Sequence, residues 1–365
     1  MTLSDFDAYR PENEPRRKRR RNRPPGQRRG GGAGDGSREM PMVEDVEFAD
    51  SYYGRPIVKP PPWDDKISAY LFLGGIAGGS AMLAIGADRI GFDKLRKNTR
   101  LTALGATVAG TGFLIADLGR PERFHHMMRT FKPASPMNMG TWILSAFGVG
   151  AGVVAAIDVD RMTGQKIPLG ILRPMVYALE KPAGLLAAVM GAPLASYTGA
   201  LLADTSVPTW NGGKDNMSYL FVSSAAMASS GMALLTTPPS ETRPARVFGT
   251  LGAASELYFS EKLTADMHPV EAEPLQTGRP ARKLRWAQAL TIAGGVGAAL
   301  LGRNRVAAMA SGAALASASY LTRSAILEAG INSTKDPRHV VEPQRDRLAA
   351  RRAQGIVDDS ITTVG

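Results

Sequence analysis

The chain has 365 residues, with 44 Lys and Arg against 33 Asp and Glu, a formal net charge of +11, four histidines and no cysteine. The missing cysteine excludes disulfides, thiolate nucleophiles and cysteine-held iron–sulfur clusters. The histidines (His125, His126, His268 and His339) fall between or beyond the apolar segments, so none is placed as an axial ligand for a haem held between helices. A chain that holds no cofactor covalently or by metal ligation is expected.

Residues 1–62 are polar and rich in Pro and Gly, and carry the basic run Arg16-Arg-Lys-Arg-Arg-Arg21 with Arg23, Arg28 and Arg29. A secretory or twin-arginine signal needs an apolar core directly after its basic region, and none follows. Such a run reads as a disordered, solvated tail able to touch anionic lipid. No folded basic module with interleaved aromatics accompanies it, so nucleic acid is not an expected partner.

Residues 63–330 form the membrane domain in this reading, and 331–365 a polar C-terminal tail. Apolar stretches near 20 residues match a hydrocarbon core of about 30 Å. Eight are present. The first, 67–87, has Gly74, Gly75, Gly78 and Gly79 at its centre. The second is 101–118, and the third, 139–157, starts near Trp142, a residue type that anchors at the interface. The fourth, 183–203, contains Pro193; the fifth, 218–237, ends at Pro238-Pro239. The sixth, 245–259, is short and interrupted by Glu256. The seventh is 284–302, and the eighth, 306–327, carries Arg323 near its end. Gly75–Gly79 and Gly148–Gly152 are G-x-x-x-G pairs, which let helices approach closely where lipid offers no hydrophobic drive. The expected fold is an all-α polytopic membrane protein, with eight transmembrane helices in a compact bundle between disordered N- and C-terminal tails. Basic residues divide almost evenly between the two sets of loops, so the N-terminal run decides topology and places both tails in the cytoplasm.

Ionisable groups inside or beside these spans are the candidate functional residues. Asp117 closes the second span and is followed at once by Arg120, Pro121 and Arg123. It reads either as an ion-paired site with Arg120 or Arg123, or as a plain helix end reaching water. Glu256 is a proton-relay candidate if it faces the bundle, and a wet residue if the sixth span is tilted or broken. Arg323 and Glu328 are expected to snorkel rather than pair with it. His125 and His126 suit partner docking, or proton uptake at the mouth of a site.

Four motifs in order then resemble one family. They are Leu71-Phe-Leu-Gly-Gly-Ile-Ala-Gly-Gly-Ser80, Asp117-Leu-Gly-Arg-Pro-Glu-Arg-Phe124, Ser135-Pro-Met-Asn-Met-Gly-Thr-Trp142, and Tyr197-Thr-Gly-Ala-Leu-Leu202 with Pro208 and Trp210. Ser333-Thr-Lys-Asp-Pro-Arg338 with Glu342-Pro-Gln-Arg345 adds a similar ending. Together they resemble the NrfD/PsrC family, the quinone-interacting membrane subunits of molybdopterin and iron–sulfur oxidoreductases. The resemblance implies an exchangeable quinone (menaquinone or ubiquinone), an iron–sulfur ferredoxin-like subunit and a molybdopterin catalytic subunit, in the plasma membrane of a prokaryote. It also implies a quinone pocket near the start of the first helix and at a tyrosine of the fourth, which Tyr197 matches. Where some relatives place an Asn and a His on the first helix, this chain has Lys66, Ser68 and Tyr70. Asp117, Arg120, Arg123, Tyr197 and Glu256 are thus the expected quinone and proton residues. A subunit without its own redox centre catalyses nothing alone. The rival readings are a secondary transporter or proton channel, for which Pro193 is the one interruption and no internal repeat is legible, and a purely structural anchor.

Overall fold

The computed structural model describes residues 56–118 and 120–355, without the side chain of Arg123, and the described residues contain helices and turns but no strand. The basic run and the last ten residues lie outside the described residues. In chain order the helices are α1 (Asp65–Ile90), α2 (Asp93–Asp117), α3 (Pro136–Met162), α4 (Arg173–Ala178), α5 (Glu180–Ala203), α6 (Pro208–Gly212), α7 (Lys214–Thr236), α8 (Arg243–Asp266), α9 (Pro269–Gln276), α10 (Gly278–Leu300), α11 (Arg305–Ser333) and α12 (Arg338–Ala353).

Local chemistry sets the ends. The Asp64 carboxylate accepts from the Lys66 backbone N–H at 2.8 Å to cap α1. Gly91 stops it at φ 76°, a left-handed conformation that suits glycine. Pro136 opens α3 in its first turn, where a missing N–H costs nothing. The Asn304 side chain accepts from the N–H groups of Val306 and Ala307 at the start of α11.

Five helices, α1, α2, α3, α5 and α7, are long and apolar enough to cross a membrane. Helices α8, α10 and α11 are as long, at 24, 23 and 29 residues, but carry more charge. Two expectations change here. The sixth segment is not short: Glu256 sits inside the unbroken 24-residue α8. The C-terminal segment expected as a tail contains α12, which buries His339 and Pro343. Ion pairs Arg347–Glu271 at 3.1 Å and His268–Asp346 at 3.2 Å tie α12 to the α9 region. Hydropathy cannot register a helix attached mainly through charge.

The long helices pack as two groups of four, α1·α2·α3·α5 and α7·α8·α10·α11, with α1 against α7 joining them. In each group the first helix pairs with the second, the third with the fourth, and the first crosses the fourth. That crossing is made by facing glycines in both: Gly78 on Gly191, and Gly231 on Gly312, where an added Cβ would overlap the opposite backbone carbonyl. The packing therefore repeats although the sequence shows no repeat. Each group has its own apolar core, Ile76, Phe147 and Leu194 with alanines in the first and Met227, Leu234 and Leu315 with alanines in the second. Gly75 and Gly79 face α7 as their spacing predicts. Gly148 and Gly152 do not pack; Gly150 between them meets Ala183 and Ala187 of α5.

Candidate functional site

Helix α1 carries polar chemistry on two sides at adjacent residues. On the first side, the phenol of Tyr70 lies within electrostatic reach of that of Tyr197 on α5. Tyr70 is 5% exposed. The Tyr197 ring lies directly on Gly140 of α3, where any Cβ would overlap it. The motif 135–142 is now legible residue by residue. Asn138 accepts from the Lys132 N–H at 2.7 Å and donates to the Met127 and Thr130 carbonyls at 3.2 and 2.9 Å, pinning the preceding loop. Gly140 makes room for Tyr197. The Trp142 indole donates to the Thr130 carbonyl at 3.3 Å. Two neighbouring phenols can satisfy at most one O–H between them, which leaves at least one donor. Beside Tyr197, the buried Thr198 hydroxyl has no hydrogen-bond partner among the described residues.

On the other side of α1, Arg323 of α11 is fully buried, so the snorkelling expected for it is wrong. Its Nη1 donates to the Leu71 carbonyl at 2.9 Å and its Nη2 to the Phe221 carbonyl at 2.7 Å. The guanidinium also lies 4.6 Å from the centre of the Phe221 ring. Gly75 is the reason it reaches α1: a side chain there would meet the guanidinium. Glu256 is 3% exposed, accepts from the Thr322 hydroxyl through Oε1, and lies within the electrostatic reach of Arg323. Its Oε2 and the Arg323 Nε have no hydrogen-bond partner among the described residues. Glu256 is thus inside the bundle, not wet. Glu328 pairs instead with Lys283 at 2.7 Å and Arg279 at 3.6 Å on α10.

The remaining residues of the expected site lie further out. Gly110 of α2 is level with Tyr70. Asp117, partly buried, is the last residue of that helix, about 10 Å farther along its axis at 1.5 Å per residue. Arg120 is also partly buried and precedes a 3₁₀ segment, Pro121–Met128. The pairing of Asp117 with Arg123 lies outside the described side chains. His125 and His126 are exposed in the 3₁₀ segment, with their rings edge to face at 4.4 Å. The structure therefore divides the expected residues into three places on one half of the bundle: Tyr197 beside Tyr70, Glu256 near Arg323, and the outer turn from Asp117 to His126.

A fourth polar centre at the opposite helix ends went unforeseen. Buried Arg100 of α2 bridges Glu180 at 2.7 Å and Asp158 at 3.4 Å, and Arg161 binds Glu180 at 2.6 Å. Asp160, fully buried, holds Arg173 and the Tyr177 hydroxyl, each at 3.0 Å. The signal in the sequence was Asp158-Val-Asp-Arg161 at the end of an overlong apolar helix.

A family model, that of polysulphide reductase NrfD, matches residues 57–239, which hold α1 to α7 with Tyr70, Asp117, Arg120 and Tyr197. Glu256 and Arg323 lie beyond the matched residues. The chain is similar to a Haemophilus influenzae protein described as a NrfD homolog, at 32% identity over 158 residues, covering 38% of this chain and 48% of that protein. It is similar to the C chain of polysulfide reductase from Wolinella succinogenes, at 28% identity over 149 residues, covering 38% of this chain and 47% of that one. The chain spans about half the length of the curated relatives it matches.

Proposed function

Because the chain belongs to the polysulphide reductase NrfD family, we propose that it is the quinone-interacting membrane subunit of a multi-subunit reductase in a prokaryotic plasma membrane. All eight long helices cross the bilayer in this reading. Helices of 23 to 29 residues rise roughly 35–43 Å, longer than the hydrocarbon core even where charge lowers their hydropathy. The observation that carries the proposal is two neighbouring phenols among apolar helices, Tyr70 buried on α1 and Tyr197 seated on Gly140, with at least one O–H donor to spare. That donor fits the carbonyl oxygen of menaquinone or ubiquinone, a lipid-soluble carrier of two electrons and two protons. Tyr197, backed by Gly140, orients the acceptor and holds or passes a proton at its phenol oxygen. Asp117 and Arg120 stand at the outer turn on the same half of the bundle, where protons would enter or leave.

Electrons pass to or from an iron–sulfur, ferredoxin-like partner docked over the Pro121–Met128 segment, where His125 and His126 are exposed. A molybdopterin subunit completes the enzyme. Glu256 faces the bundle interior, as the relay expected of it requires. It accepts from Thr322 of α11, beside the Arg323 that seats α11 against α1 and α7. The repeated packing of two four-helix groups is also compatible with a transporter, but transporter sites use discontinuous helices, and the eight long helices are each continuous.

The test is quinol-linked turnover of the native complex carrying Tyr197→Phe or Tyr70→Phe, set beside turnover with a soluble dye that bypasses the membrane subunit. Loss of roughly 100-fold in the quinol assay alone is expected for a positioned proton donor. Equal quinol rates in parent and variants would leave only a structural anchor.

A further inference from the structure

At the end of the first helix group opposite Tyr197, the α1, α2, α3 and α5 walls enclose a cavity of about 400 Å³. Its inner wall is small and apolar, made by Ala81, Ala84, Ala103, Ala151 and Ala187, with Gly184 leaving further space. Ala81 and Ala84 sit in the last turns of α1, and Glu180 to Ala187 in the first turns of α5, so the cavity runs from the water interface toward the hydrocarbon.

The charges at its mouth are unequal in a useful way. Asp88 is occupied by Arg96 at 3.0 Å. Glu180 and Asp158 are occupied by Arg100 and Arg161. Arg89 and Lys181, both exposed and both lining the cavity, face no carboxylate within ion-pair distance among the described residues. Arg100, 6% exposed, forms part of the wall and fixes the α2–α5 spacing that keeps the space open. A narrow apolar chamber beneath two uncompensated cations at an interface matches a molecule with an anionic head and a hydrocarbon tail.

We infer that this cavity is a binding site for one anionic phospholipid, its phosphate between Arg89 and Lys181 and one acyl chain among the alanines. A neutral quinone would leave the two cations unanswered, which separates this site from the Tyr70–Tyr197 site. The inference rests on the membrane placement proposed above and not on the quinone assignment.

The experiment uses the purified native complex, stripped of lipid by detergent and titrated with dioleoylphosphatidylglycerol or dioleoylphosphatidylcholine, with bound lipid read by native mass spectrometry. The parent should prefer phosphatidylglycerol by about 30-fold, from two surface cations acting together. Arg89→Gln with Lys181→Gln should abolish the preference and leave residual binding of both lipids. Gly184→Leu should remove both lipids by filling the tail space; a Cβ there meets only ordinary contacts, Val154 at 3.7 Å and Arg100 at 3.9 Å, so the fold tolerates the start of that side chain. Quinol-linked turnover should stay at the parental level in both variants, which keeps failure of this site distinct from failure of the quinone site. Equal retention of the two lipids by the parent overturns the inference. So does undiminished phosphatidylglycerol binding in Gly184→Leu, or recovery of a quinone in place of phospholipid.

Discussion

Arg323→Met tests whether the fold depends on a cation at its centre. The side chain joins three helices, donating from α11 to the Leu71 carbonyl on α1 at 2.9 Å and the Phe221 carbonyl on α7 at 2.7 Å. Hydrogen bonds from a charged donor contribute about 1.5–3 kcal/mol each, so two account for about 3–6 kcal/mol. Methionine also leaves Glu256 buried at 3% exposure without its nearby positive charge, and a buried polar group left uncompensated costs about 1–3 kcal/mol. The two costs share one cation and do not add, so about 4–6 kcal/mol is expected in total. At roughly 2 °C per kcal/mol for a large domain, the melting temperature in detergent falls by about 8–12 °C, read by loss of the monodisperse size-exclusion peak after heating. Adding Glu256→Gln removes the stranded carboxylate while keeping an acceptor for Thr322, and should return about 1–3 kcal/mol of the loss. An Arg323→Met protein that melts within about 2 °C of the parent, or one not improved by Glu256→Gln, refutes the reasoning.

Three further outcomes follow from particular contacts. Gly140→Leu drives the Tyr197 ring from its seat, so quinol-linked turnover should collapse while the dye-linked rate of the native complex persists. Gly231→Val places branched carbons against the Gly312 backbone, and overpacking of this kind costs about 1–3 kcal/mol, visible as a lowered melting temperature; the same change at Gly148, which touches nothing, should have no measurable effect. The Asp336 carboxyl is held below its usual range by the Arg338 backbone N–H first and by the Arg338 side chain after it. A depressed carboxylate adds stability above its unfolded pKa and loses it as pH falls through the folded value. The protection of α12 amides, taken relative to the intrinsic exchange rate at each pH, should therefore fall on acidification below the ordinary carboxylate range, and Asp336→Asn should flatten that dependence.

Much of the fold was legible because apolar length is a strong signal in a bilayer. Each of the eight long helices overlays one of the eight apolar stretches, and Gly75 and Gly79 point where their spacing requires. Hydropathy failed where charge is compensated inside the protein. Arg323 near the end of an apolar stretch looks free to reach water until three helices are seen to close around it. Asp158, Asp160 and Glu180 were passed over because their partners, Arg100 and Arg173, lie on other helices. Tyr197 was found by motif and not by chemistry, since a single tyrosine on an apolar helix carries no sign of its purpose. The structure supplies the missing half, Tyr70, one position before the Leu71 carbonyl that receives Arg323. Gly148 and Gly152 show the converse, a correctly spaced pair on a face that meets no helix.

The central claim is that quinone meets the protein at the Tyr70–Tyr197 pair. Photolabelling of the native complex with an azido-quinone, followed by peptide mapping, tests it most directly. Label confined to the N-terminal half of α1 and the C-terminal half of α5, competed away by unlabelled quinone and lost in Tyr70→Phe/Tyr197→Phe, is the predicted result. Competable label on α8, α10 or α11 with none on α1 or α5 would contradict it.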